Sequence, residues 1–109
     1  MDSNDQFPIS VVLYPHEGLW IAQGLEYDIV AQGSSSDEAS KNFNKKFGAE
    51  LAISMEVGDS SPLCGVPRAP QAFWDRYNAI KKAGDIDESD IEIINGRTSH
   101  VRKTIKIAA

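Results

Sequence analysis

Four carboxylates, Glu26, Asp28, Asp37 and Glu38, have the strongest claim to chemistry because they cluster in sequence. Paired acids at strand ends can hold two magnesium ions for phosphoryl transfer, so a metal-dependent nuclease is one reading of them. Such sites usually need an acid on a central strand, and the most strand-like segment, Phe7 to Tyr14, has none. Glu38 also stands three residues after Ser35, the spacing of a capping box, where its carboxylate serves a helix start. His16-Glu17-Gly18-Leu19-Trp20 opens as a zinc-protease helix would, but Trp20 occupies the place of the second histidine and the segment reads as a turn. Cys64 is the single cysteine and has no histidine near it in sequence; His100 stands among basic residues on a strand-like segment. Neither has the neighbours of a nucleophile or a general base. The expectation is a non-catalytic protein with no cofactor and no metal site.

The elements that would position these residues follow from periodicity. Phe7–Tyr14, Leu19–Gln23 and Tyr27–Gln32 are rich in β-branched and aromatic residues, and turn chemistry at Pro15-His16-Glu17-Gly18 and at Gly24-Leu25-Glu26 separates them. They predict one three-stranded antiparallel sheet. Ala39, Phe43, Phe47, Leu51 and Met55 recur every four residues and predict a helix over Asp37–Val57 that covers the sheet and ends at Gly58. Gly48 interrupts this helix at a propensity cost of about 1 kcal/mol, which suggests either close packing of the helix on a strand or a simple weak point. After a Pro-, Gly- and Ser-rich loop over 59–69, Pro70 opens a second, short helix with Phe73, Tyr77 and Ile80 on its apolar face. Lys81 and Lys82 are placed in its last turn and Gly84 at its left-handed cap.

Residues 85–90 read as an acidic linker. Beyond it, Ile91–Ile94 and Val101–Ile107 flank Asn95-Gly96, the signal for a hairpin, while a helix over Glu88–Ile94 is the competing pattern. Val101, Ile105 and Ile107 form one apolar face of the last strand and Arg102, Thr104 and Lys106 a polar one. That strand is expected to act as an arm pairing with another subunit, making a homo-oligomer; folding back on its own sheet is the alternative. The fold class is α+β: a three-stranded antiparallel sheet, a covering helix, a second short helix and a C-terminal strand arm, divided into a domain over 1–84 and an acidic linker with basic arm or hairpin over 85–109.

Charge narrows the partners. Up to residue 96 there are sixteen acidic and seven basic residues, and after it four basic residues and no acid. An acidic body is a poor direct binder of nucleic acid, whose affinity comes from Lys and Arg on phosphates, and suits a basic protein partner. The start is acidic where a secretory signal is basic, and no apolar run is long enough for a bilayer, so a cytoplasmic protein with no membrane contact is expected.

Trp20-Ile21-Ala22, Leu25, and Gly33-Ser34-Ser35-Ser36-Asp37-Glu38-Ala39 together resemble the HicB-like antitoxin family of bacterial toxin-antitoxin systems, over roughly residues 8 to 56. Leu25-Glu26-Tyr27-Asp28 departs from the Pro-Gly-Cys-like segment typical of that family. Arg102–Ile107 looks like the opening ribbon of its DNA-binding domain, whose two helices do not follow, so operator binding is not implied. The resemblance implies a partial ribonuclease-H-like fold without an active site, which neutralises a small basic messenger-RNA-cleaving toxin by covering it. A stand-alone oligomeric HicB-like protein with a regulatory or phage-related role is the alternative. Partner contacts are expected at the acids Glu17, Glu26 and Asp28 and at the aromatics Trp20, Tyr27 and Trp74; oligomer contacts are expected at Val101, Ile105 and Ile107.

Overall fold

The structure, a computed structural model, describes residues 6–56, 63–94 and 97–108. Phe7, Ile9, Val11 and Leu13 alternate with Ser10, Val12 and Tyr14 along β1 (Gln6–His16), and both sets are covered. The first set meets α1 (Ser36–Glu56), and Val12 and Tyr14 meet α2 (Gln71–Ala79) on the other face. A strand packed on both sides carries apolar residues at successive positions, which is why this segment has no charge. Glu17 and Gly18 link it to β2 (Leu19–Gly24), with φ of 50° and 81°. Two positive φ angles make a turn whose twist suits a two-residue hairpin, and glycine accepts the second without strain.

Three further strands complete a single sheet: β3 (Val30–Gly33), β4 (Asp85–Ile94) and β5 (Arg97–Ile107), in the order β3-β2-β1-β5-β4. The pairing of β5 with β1 is parallel and the others are antiparallel. The sheet of a three-stranded antiparallel domain is therefore corrected to five mixed strands in a curled half-barrel, within an α+β architecture. The C-terminal arm is corrected with it. β5 lies inside the sheet, hydrogen-bonded to β1 on one side and β4 on the other, so the backbone demand that argued for a neighbouring subunit is met within the chain.

Residues 85–90 form a strand instead of a linker, and the helical alternative for 88–94 is not taken. The physical reason is cross-strand charge: Asp87 stands opposite Lys103, Glu88 opposite Arg102 and Asp90 opposite His100. Opposite charges on facing positions stabilise a ladder that an isolated acidic segment would not form. The boundary expected at 84/85 falls between α2 and β4, and the strands after it share one core with residues before it. Val101 and Ile105 lie in the same buried cluster as Phe43, Phe47 and Leu51.

The long helix starts as its residues require. The Ser35 hydroxyl accepts the Glu38 N–H at 3.1 Å, and the Glu38 carboxylate reaches back to the Ser34 N–H at 2.6 Å, one residue earlier than in the standard reciprocal pair. The Ser34 N–H, followed by the Ser34 side chain, holds the Glu38 carboxyl below its usual pKa. Ala39, Phe43, Phe47 and Leu51 are buried, while the Met55 side chain and Gly58 fall outside the described residues. Of the two readings of Gly48 the structure takes close packing: a Cβ there would stand 2.9 Å from Ile91 of β4.

The short helix has Pro70 as its N-cap and ends at Ala79, where Ile80 turns extended. Lys81 and Lys82 therefore lie beyond it, and Gly84 is not a left-handed cap but a close contact, since a Cβ there would meet the Ile105 carbonyl at 2.9 Å. Asn95-Gly96 lies outside the described residues, as do residues 59–62 of the loop. Among the described residues no helix is long and apolar enough to cross a membrane.

Candidate functional site

Alternation along β5 aims Val101, Lys103 and Ile105 at α1, so one lysine enters the core with its apolar neighbours. Its side chain is 1% exposed. The ammonium sits 3.1 Å from an Asp87 carboxylate oxygen and donates to Ser40 at 2.7 Å (hydroxyl) and 3.2 Å (backbone carbonyl). Burial pushes its pKa below the ordinary lysine value, and the Asp87 carboxylate opposes that shift. An amine so enclosed, with an acceptor for each proton, is held as a structural cation. Above it a cleft of about 440 Å³ opens between α1 and the β4–β5 pair, with Ser36, Asp37, Lys41, Asp85 and Asp87 among its walls.

Beyond this cleft, β4 presents carboxylates on both faces. Glu88 and Asp90 point to the face opposite α1 and clamp His100, its Nε2 2.8 Å from Glu88 Oε1 and its Nδ1 3.0 Å from Asp90 Oδ1. The hydrogen bond to Glu88, followed by that to Asp90, raises the imidazole pKa above 6.5. A raised pKa stabilises the fold in full below the unfolded value near 6.5, and that contribution disappears as pH climbs through the folded value. His100→Gln should therefore lower the melting temperature most near about pH 5.5 and by little at about pH 9. An NMR titration placing the His100 midpoint at or below 6.5 would contradict this clamp.

The structure disperses the residues expected to meet a partner. Glu17 is exposed in the β1–β2 turn beside His16, with Trp20 close by but packed into the main core. At the other end of β2, both carboxylate oxygens of Glu26 are engaged by Ser10, from its N–H at 2.7 Å and its hydroxyl at 2.9 Å. Asp28 accepts from Gln23 at 2.8 Å, and Tyr27 packs against Phe47 with ring centroids 6.4 Å apart. Trp74 lies across the sheet in the second cluster, under the Arg68 guanidinium at 4.3 Å, and its buried indole N–H has no partner among the described residues. Val101 and Ile105 are core residues and Ile107 is 44% exposed. Among the described residues no three of His, Cys, Asp or Glu converge as metal ligands, so Glu26, Asp28, Asp37 and Glu38 are not brought together.

Lys103, Asp87 and the acidic β4 were missed as a unit. One signal was in the sequence: Lys103 interrupts the apolar face of Val101, Ile105 and Ile107, and a charge at such a position needs a buried partner. Comparison with protein families, with curated proteins and with solved structures finds no match for this chain.

Proposed function

We propose that the chain is a non-catalytic protein-binding module of the HicB-like antitoxin kind, which neutralises a small basic messenger-RNA-cleaving toxin by covering it. One observation carries this reading: five carboxylates, Asp85, Asp87, Glu88, Asp90 and Glu92, are concentrated on an edge strand of the sheet. A basic ribonuclease surface complements such a strip, gaining association rate and selectivity from it. Three of the four carboxylates of the nuclease reading have other work. Glu26 holds Ser10, Asp28 holds Gln23, and Glu38 caps α1.

The test is a search of the gene's immediate neighbourhood for a small basic reading frame, whose absence would end the reading, followed by co-expression of its product with this chain. Growth arrest caused by the product of such a frame should be relieved by this chain, and the two should co-elute as a complex. Absence of both effects would end the reading. So would magnesium-dependent nucleic-acid cleavage by the native chain that disappears in Asp28→Asn/Glu38→Gln.

A further inference from the structure

The two edges of the sheet are finished differently. On β3, which is four residues long, the outward carbonyls of Val30 and Gln32 are occupied: Lys46 donates to the first and Asn42 to the second, each at 2.9 Å. Both donors come from α1, so that edge is closed to further pairing. On β4, ten residues long, no side chain among the described residues caps the outer backbone. The long helix touches only one face of it, through Asn44 on Ser89 and Gly48 on Ile91. Asp85, Ile86, Glu88, Asp90 and Glu92 are exposed.

We propose that the outer edge of β4 is a docking site that takes a basic extended segment of a partner protein as a sixth strand. The inference rests on the partner-binding reading above and assigns its mode. Alternate backbone N–H and C=O groups of an edge strand supply the hydrogen bonds, and flanking side chains choose the partner. The inner edge of β4 already displays the chemistry its side chains accept. There β5 places Lys103 on Asp87, Arg102 opposite Glu88 and His100 on both Glu88 and Asp90. Asp85, which opens β4, and Glu92, two residues before its end, form no ion pair within the described residues and remain for an incoming cation. A second copy is the wrong occupant, because each β4 would bring five carboxylates and no basic side chain to the pairing.

The probe is a synthetic peptide with the sequence of residues 97–107, RTSHVRKTIKI, and a control with its Arg and Lys replaced by Glu. Added to the isotope-labelled full chain, the basic peptide should slow hydrogen exchange at alternate amides of 85–92. It should bind more weakly as salt rises, and at least about tenfold more weakly to Asp85→Lys/Glu92→Lys. That double variant touches no ion pair among the described residues and should keep the native melting temperature to within a few degrees. The proposal is overturned if the acidic control binds equally, if protection appears on β3 or at the β1–β5 junction instead, or if the unliganded chain dimerises through β4. A toxin complex that forms without protecting β4 would sink the edge and leave the antitoxin reading; peptide protection of β4 with no toxin complex would do the reverse.

Discussion

Phe47→Ala should cost about 3–5 kcal/mol of folding free energy, the range for truncating a buried aromatic. Phe47 is 0% exposed and stands at the centre of an aromatic group. Phe7 meets it edge-on at 5.9 Å between centroids, Phe43 stacks on it at 6.0 Å and Tyr27 lies at 6.4 Å. Truncation would leave three rings facing a void that β1 and α1 are too well tied to close. A domain of this size has roughly 5–15 kcal/mol in total, so the variant should unfold at distinctly lower urea, with Phe47→Leu between it and the native chain. A loss under about 1 kcal/mol for the alanine variant would mean that α1 does not press this face onto the sheet.

The second large effect is an asymmetry within one ion pair. Asp87→Ala should cost about 2–4 kcal/mol, because it leaves the enclosed Lys103 ammonium without a counter-charge; the lower end allows for an Asp87 side chain that is 46% exposed. Lys103→Met should change stability by less than about 1 kcal/mol or raise it, since an apolar chain of similar length suits the space between Val101 and Ile105. The pH dependence has a definite sign. Burial lowers the folded pKa of Lys103 below 10.5, so the unfolded chain binds that proton more tightly. Its penalty is present at neutral pH and fades as pH rises through the folded value toward 10.5. Urea unfolding at several pH values should show this rise steepened in Asp87→Ala and absent in Lys103→Met. The opposite ranking of the two variants would overturn the buried-cation account.

Much of the local structure was legible for a physical reason: it depends on neighbours in sequence. The runs of β1 and β2, the turn at Glu17-Gly18, the Ser35–Glu38 cap and the four-residue stripe of α1 are each written within a few residues, whereas the third strand, expected over Tyr27–Gln32, starts only at Val30. The candidate site was not, because its parts come from distant segments. Ser40 of α1, Asp87 of β4 and Lys103 of β5 meet only after the sheet has formed. The aromatics and acids favoured as partner contacts stood out by residue type. Residue type does not reveal that Glu26 is engaged by Ser10 or that Trp20 and Tyr27 face the core.

By itself the sequence determined an α+β chain with an acidic body and a basic end, an amphipathic long helix and a central strand without charge. It could not determine that the two charged segments fold onto each other. An acidic stretch next to a turn signal reads as a linker when judged on its own propensity. It becomes β4 because β5, basic at Arg102, Lys103 and His100, lies opposite it. Likewise, only tertiary structure decided that β5 enters the sheet beside β1, some ninety residues earlier in the chain, and so ceases to be an arm. Pairing of that range follows from burying Val101 and Ile105 against α1, a gain that no local pattern contains.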